Sequence, residues 1–90
     1  MSNSTLHVRI ISPQQLIFEG EANTVSSKNL AGPFDILPKH ANFITMIENW
    51  PIIVRVPGQK PLVFKFALAI VLVRDNKVNI YTYIQPKLPS

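Results

Sequence analysis

The sequence contains no cysteine and only three glycines in 90 residues. Without cysteine, a disulfide framework and any thiolate metal site are excluded. The glycines are Gly20, Gly32 and Gly58, so a glycine-rich phosphate-binding loop is absent as well. The sequence therefore has neither thiol-based redox or metal chemistry nor a glycine-rich loop for phosphate.

Titratable residues are also sparse. The two histidines, His7 and His40, have no metal-ligand spacing, and the five acidic residues form no evident catalytic pair. Glu19 and Glu21 are interpreted as the solvated face of a strand. We interpret His40 as a structural residue that hydrogen-bonds within its loop or to a partner. The sequence therefore predicts no catalytic residues, no cofactor and no metal site.

No segment is long and apolar enough to span a membrane. The most apolar stretch, residues 62–73, is interrupted by Lys65, whereas about 20 residues are needed to cross a bilayer. The polar N-terminus does not resemble a signal peptide. The formal charge is +4, but the Lys and Arg residues are scattered without an adjacent pair. We expect a soluble protein with no direct membrane insertion and no nucleic-acid partner.

What the sequence does contain is hydrophobic alternation. A 47% hydrophobic chain of 90 residues is long enough for one folded domain. We expect the ordered core at about residues 6–84 and a proline-containing tail at residues 85–90. Apolar and polar residues alternate with the period of two that is typical of strands, most clearly in residues 6–10, 52–56 and 78–84.

Three further segments complete this pattern. Residues 62–72 resemble one strand that buries its even-numbered residues, including Phe66. Asp75-Asn76 predicts a tight hairpin, because both residues tolerate left-handed backbone. Residues 42–50 fit either a helix or an extended segment, and we favour the extended one. The residues alone thus predict an all-β protein, either a β-sandwich or a small barrel.

The most distinctive stretch is residues 32–43. Two prolines, Pro33 and Pro38, cannot both lie inside one regular element, so we expect a shaped loop around a short extended piece at residues 34–37. Lys39 and His40 follow as a polar cluster. This arrangement is typical of a scaffold that displays a contact loop.

The same stretch resembles the N-terminal domain of the epsilon subunit of F-type ATP synthases, called delta in mitochondria. The family's motifs are matched in order and at similar spacing by Ser12-Pro13, Phe18-Glu19-Gly20, Val25, Gly32, Ile36-Leu37-Pro38-Lys39-His40-Ala41 and Asp75-Asn76-Lys77-Val78. The resemblance covers roughly residues 6–84.

The resemblance implies a ten-stranded β-sandwich of two five-stranded sheets. It also implies a non-catalytic rotor subunit that binds the gamma subunit and the c ring and couples ion translocation to ATP synthesis or hydrolysis. Such a subunit lies on the cytoplasmic face of an energy-transducing membrane, here a bacterial inner membrane. Carried over by position, the partner contacts are Gly32, Pro33, Phe34, Asp35, Pro38, Lys39 and His40.

The sequence departs from the family pattern at three places. Pro33 occupies a position that is often acidic, and Leu68-Ala69 replaces a glycine pair. The sequence stops at Ser90, before the helical hairpin that usually follows, so it is either naturally short or a fragment.

Two other classes of function fit the residues as well. A free-standing β-sandwich adaptor would share every packing feature. A small basic barrel for single-stranded nucleic acid would need aromatic and basic residues interleaved on one face, and only Tyr81 and Tyr83 beside Lys77 provide that.

Overall fold

The computed structural model describes residues 5–83, which form nine β-strands and contain no helix, hence none that could cross a membrane. The all-β prediction is confirmed. The predicted tail at residues 85–90 lies outside the described residues. The strands are β1 (Leu6–Ile11), β2 (Leu16–Ala22), β3 (Thr24–Asn29), β4 (Gly32–Ile36), β5 (Phe43–Glu48), β6 (Pro51–Arg55), β7 (Leu62–Lys65), β8 (Leu68–Arg74) and β9 (Lys77–Thr82).

The strands form a β-sandwich of one five-stranded sheet, in the order β2-β1-β9-β8-β5, and one four-stranded sheet, in the order β4-β3-β6-β7. The expectation of ten strands in two five-stranded sheets was therefore wrong by one strand. Two long connections, residues 37–42 and 56–61, could have supplied another strand. They contain prolines and the positive-φ residues Lys39 and Gly58, which do not fit a strand ladder.

The core lies between the sheets and consists of alternating apolar residues from almost every strand. Fourteen apolar side chains of the described residues are buried, among them Leu6, Val8 and Ile10 of β1 and Val78 and Ile80 of β9. These residues share an inner face because successive side chains of a strand point to opposite sides of its sheet. The alternation in the sequence therefore predicted this part of the core correctly.

Residues 62–72 were predicted as one strand, and this prediction was wrong. The segment forms β7 and β8, which belong to different sheets. Phe64 is half-buried, but in β8 the odd-numbered Ala69 and Val71 are buried whereas Ile70 is exposed. Even-numbered residues face the core in β7, whereas odd-numbered residues face it in β8. The change occurs because the chain crosses from one sheet to the other between these strands, and the inner faces of the two sheets point in opposite directions.

A turn at Asn49 stabilises this crossing. The backbone N–H of Asn49 donates to the carbonyls of Phe66 at 3.1 Å and Ala67 at 3.0 Å. Asn49 itself lies at the β5–β6 crossing with φ 51°. The two crossings are thus joined at one corner of the sandwich, which fixes where β8 begins.

Two other predictions about local structure are confirmed. Residues 43–48 form strand β5, with Ile47 buried, rather than a helix. Asp75 and Asn76 connect β8 and β9 as a tight turn with φ 49° and 64°. Both angles lie in the left-handed region that Asp and Asn tolerate better than most residues.

Candidate partner-binding surfaces

The predicted contact residues do not form one loop. Gly32 to Ile36 is strand β4, which pairs with β3 from Gly32 opposite Asn29 to Ile36 opposite Val25. At about 3.3 Å per residue, β4 separates its two ends by roughly 13 Å. The structure therefore places Gly32 and Pro33 at the start of β4, and Pro38, Lys39 and His40 beyond its end.

The turn that carries Lys39 and His40 is held by hydrogen bonds within the turn and by one to Asn76 of the β8–β9 turn. The backbone N–H of His40 donates to the Leu37 carbonyl at 3.2 Å, and the Leu37 N–H donates to His40 Nδ1 at 3.3 Å. Lys39 has φ 67°, and its N–H donates to Asn76 Oδ1 at 2.6 Å. The structural interpretation of His40 is confirmed, and both side chains remain exposed.

Within β4, the predicted residues differ in how accessible they are. Pro33 and Asp35 are exposed, whereas Phe34 is half-buried and packs edge-on against Phe43 with ring centroids 6.2 Å apart. The Asp35 carboxylate accepts a hydrogen bond from Ser26 Oγ at 2.5 Å, and Arg55 donates to the same oxygen of Ser26 at 3.0 Å. Phe34 therefore packs against the core, and the Asp35 side chain is hydrogen-bonded to a residue of the neighbouring strand in its own sheet.

A cluster of titratable side chains lies on the outer face of β1 and β2. His7 Nδ1 is 2.8 Å from Glu21 Oε2, and His7 Nε2 is 2.6 Å from Glu19 Oε2. These hydrogen bonds, first to Glu21 and then to Glu19, raise the pKa of His7, and the bond to His7 lowers the pKa of Glu21. Residues 5–83 contain no group of three or more His, Asp or Glu side chains arranged to hold a metal ion.

An apolar surface that the sequence did not predict lies on the outer face of the five-stranded sheet. Ile70 lies between its cross-strand partners Tyr81 and Met46, and Ile44 and Leu68 lie beside them. All five side chains are exposed, Ile44 at 65% and Met46 at 50%. We call these five residues the outer apolar patch. Outward-facing positions of a sandwich are ordinarily polar, so the patch indicates a surface that a partner covers.

The same face becomes charged toward the β8–β9 turn. A row of cross-strand neighbours crosses four strands there and consists of Glu21, His7, Lys77 and Arg74.

The alternation of Leu68 to Val73 could have revealed the outer apolar patch, but both faces of β8 are apolar in sequence. Only the crossing between the sheets decides which face is solvent-exposed.

The chain is similar to known proteins along almost all of its described length. The family model of the ATP synthase delta/epsilon chain β-sandwich domain matches residues 5–83. Relatives named ATP synthase epsilon chain include those of Stenotrophomonas maltophilia K279a, with 34% identity over 86% of this chain, and Leptospira interrogans, with 30% identity over 91%. The chain spans 55% and 64% of the lengths of these two relatives and 58% of the Brevibacillus brevis epsilon chain, to which it is 26% identical.

Two solved assemblies contain chains with this fold. The match in the Euglena gracilis mitochondrial ATP synthase, described as OSCP/F1/c-ring, has a TM-score of 0.81 at 15% identity and covers 89% of this chain and 51% of that one. The match in the central stalk/c-ring structure of Tetrahymena thermophila has a TM-score of 0.73 at 16% identity and covers 88% and 63%. With a family model that matches 79 residues, 5 to 83, the chain belongs to the family of the ATP synthase delta/epsilon chain β-sandwich domain.

Proposed function

We propose that this chain is a non-catalytic subunit of the rotor of a rotary ATP synthase. In this role it binds the gamma subunit and the c ring and couples ion translocation to ATP synthesis and hydrolysis. Membership of the delta/epsilon family supports the proposal, as do the F1/c-ring and central stalk/c-ring assemblies that contain the same fold. The structural observation that carries it is the outer apolar patch, which a free monomer would leave in water.

The predicted contact residues supply two smaller surfaces. One is the end of β4 at Gly32 and Pro33, and the other is the turn at Pro38, Lys39 and His40. Because β4 separates them by roughly 13 Å, we assign them to different contacts, one toward the ring and one toward the stalk. Hydrogen bonds within the Lys39–His40 turn and from this turn to Asn76 fix its shape before binding, which reduces the entropy lost on association.

We further propose that the chain is peripheral to an energy-transducing membrane, at its cytoplasmic face. Attachment would be through the rotor subunits rather than through insertion. The relatives described above are bacterial, which supports the bacterial inner membrane as the site. No specific observation favours a free-standing adaptor or a nucleic-acid-binding barrel, since Tyr81 has Ile70 and Ile11 as its cross-strand neighbours rather than basic residues.

Co-purification with a gamma subunit and c-ring assembly tests the proposal. The parent chain should be retained, and it should show no ATP hydrolysis of its own. Lys39→Ala and His40→Ala should each weaken binding by about fivefold or more, as expected of the minority of contact residues whose truncation costs more than ~1 kcal/mol. Lys60→Ala, at an exposed lysine of the β6–β7 connection, is the matched control and should bind normally.

Unfolding measurements separate binding from stability. Substitutions at exposed turn positions usually change the free energy of unfolding by less than ~0.5 kcal/mol, so both variants should remain folded. A parent chain that bound neither gamma nor the ring would refute the rotor assignment. Variants that bound as tightly as the parent would refute only the assignment of the Lys39–His40 turn as a contact.

A further inference from the structure

Among residues 5–83 the two sheets have four edge strands, and three of them carry devices that prevent pairing with another chain. β2 carries the exposed acids Glu19 and Glu21, and its register against β1 is interrupted. β4 contains Pro33, which has no N–H to donate, and β7 is only four residues long and carries Lys65. Charge, irregular register, proline and shortness are the ways in which natural proteins block exposed sheet edges.

The fourth edge strand, β5, has a single one of these devices, the exposed acid Glu48 at its C-terminal end. It pairs with β8 without a register shift over all six residues from Phe43 to Glu48. It contains no proline and no basic residue, and its outward side chains are Ile44, Met46 and the terminal Glu48. On its other side, no strand of the described residues pairs with it. A regular, apolar, unpaired edge is a template for an added strand.

Two hollows lie beside β5, one next to its free edge and one where its N-terminal end pairs with β8. A groove of about 180 Å³ runs beside the C-terminal half of β5 and is lined by Lys28, Asn29, Leu30, Met46, Glu48 and Trp50. A shallower hollow of about 380 Å³ at the N-terminal end is lined by Asn42, Phe43, Ile44, Leu72, Val73 and Arg74. In strand addition, main-chain hydrogen bonds give affinity, and pockets beside the strand that accept alternate side chains give specificity. The two hollows are candidates for such pockets.

Two hydrogen bonds and a cation–π contact hold the backbone and side chains around the groove. Leu30 is 97% exposed at the tip of the β3–β4 turn. The turn is fixed because Asn29 Oδ1 accepts the Ala31 N–H at 2.8 Å while Asn29 Nδ2 donates to Thr45 Oγ1, on β5 itself, at 2.9 Å. On the opposite wall, Lys28 Nζ lies 4.2 Å from the ring centroid of Trp50. Aromatic and aliphatic residues held in this way are typical anchors of protein interfaces.

The positive charges near the N-terminal end of β5 indicate which kind of side chain an added strand would carry. Arg74 lines the hollow at the Ile44 end, and its cross-strand neighbour on β9 is Lys77. Like charges directly opposite each other destabilise a sheet. Within residues 5–83, neither side chain has a carboxylate within 4.0 Å. A carboxylate on the incoming segment would therefore be favoured beside this pair.

We propose that an extended segment of a partner protein adds to β5 as the sixth strand of the five-stranded sheet. Alternate apolar side chains of the segment occupy the two hollows, and an acidic residue of the segment meets Arg74. The inference rests on the proposed function for the source of the segment, another subunit of the rotary complex. A second copy of this chain is less favoured, because each copy carries a formal charge of +4.

Residue-resolved amide exchange tests this strand addition, with an F1–c-ring complex that lacks the epsilon subunit as the probe. On binding, the alternate amides of β5 that β8 leaves free should exchange at least about tenfold more slowly. The amides of β2, the other edge of the same sheet, are the internal control and should change less than twofold. Binding without protection of β5 overturns the inference alone, whereas no binding overturns the rotor assignment together with it.

Charged substitutions give a second test. Ile44→Lys and Met46→Lys place on β5 the kind of residue that blocks an edge, at positions exposed enough to accept it. Each should weaken binding to the complex by about tenfold or more. Val63→Lys, on edge strand β7 and 62% exposed, is the matched control and should change binding less than about twofold.

Sedimentation of the isolated chain shows whether a partner segment or a second copy of this chain occupies the β5 edge. Under the proposal the chain stays monomeric over the micromolar range, and β5 amides remain unprotected until the complex is added. A concentration-dependent dimer with protected β5 amides would show that a second copy fills the edge and would overturn the proposal.

Discussion

Asn76 accepts a hydrogen bond from the backbone N–H of Lys39 through its side-chain Oδ1, at 2.6 Å. The backbone carbonyl of the same Asn76 accepts the N–H of His7 at 2.9 Å. One residue of the β8–β9 turn therefore holds both β1 and the turn that follows β4. The position of Lys39 and His40 depends on a hairpin that lies more than thirty positions later in the sequence.

Replacement of Asn76 should loosen the Lys39–His40 turn. Asn76→Gly keeps the left-handed backbone of φ 64° but removes the side-chain acceptor, and should cost about 1 kcal/mol of unfolding free energy. Asn76→Ala removes the same acceptor and also places alanine in the left-handed conformation, which it tolerates poorly. It should therefore lower the free energy of unfolding by about 1 kcal/mol more than Asn76→Gly does. Denaturant unfolding gives both values, and faster exchange of the Lys39 amide reports the lost bond. Equal stability of the two variants would show that the backbone conformation is not strained.

Stability should depend on pH through His7. The pKa of His7 is raised above its usual 6.5, so its contribution is complete below that pH and is lost as pH rises through the folded value. The pKa of Glu21 is lowered from 4.5, so its contribution is complete above that pH and is lost as pH falls through the folded value. The bridge should therefore stabilise the fold most between about pH 4.5 and 6.5.

His7→Gln removes the titration while it keeps hydrogen-bonding groups at the site. The difference in thermal unfolding midpoint between parent and variant should be largest inside this window and should shrink on both sides of it. Both partners are solvent-exposed and Lys77 lies opposite His7, so added salt should reduce the difference. A difference that did not vary with pH would show that the bridge contributes nothing.

Phe66 should matter less to stability than its place in the apolar alternation predicts. It is half-buried, in the crossing between β7 and β8, and stacks on Phe64 with ring centroids 6.4 Å apart. A fully buried aromatic truncated to Ala costs ~3–5 kcal/mol, so we expect about half of that for Phe66→Ala. Ile36→Ala, at a completely buried site, should cost ~2–5 kcal/mol and is the comparison. Unfolding of the Phe66 variant but not of the Ile36 variant would contradict this ranking.

Gly20 should be sensitive to a single added methyl group. A Cβ at Gly20 would lie 3.1 Å from Phe18 Cζ, close enough that the ring must move by a few tenths of an ångström. Phe18 packs against Phe64 with ring centroids 5.7 Å apart, so Gly20→Ala should cost about 1 kcal/mol. Combining it with Phe18→Leu, which frees the space, should make the Gly20 substitution nearly neutral in a double-mutant cycle. Simple additivity of the two changes would show that the ring does not limit this position.

Local chemistry in the sequence determined much of the fold. The alternation in residues 6–10, 52–56 and 78–82 specified strands and their buried faces, because one polar face leaves a single way to pack such a strand. Asp75-Asn76 specified the hairpin because few other residues tolerate its backbone angles. The motif from Ile36 to Ala41 carried the resemblance that the family match confirms.

Only the tertiary structure decided the rest. Residues 62–73 are apolar on both faces, so the sequence could not show that the chain crosses between sheets at Phe66-Ala67 and exposes Ile70. The separation of Pro33 from Lys39 depends on Gly32 to Ile36 pairing with β3, and this pairing is not encoded within the stretch itself. The unprotected edge at β5 exists because of the strand order, which is set by contacts between distant segments. The alternation of apolar and polar residues determines which side chains favour burial. The pairing of strands that are distant in sequence determines which of those side chains remain exposed to a partner.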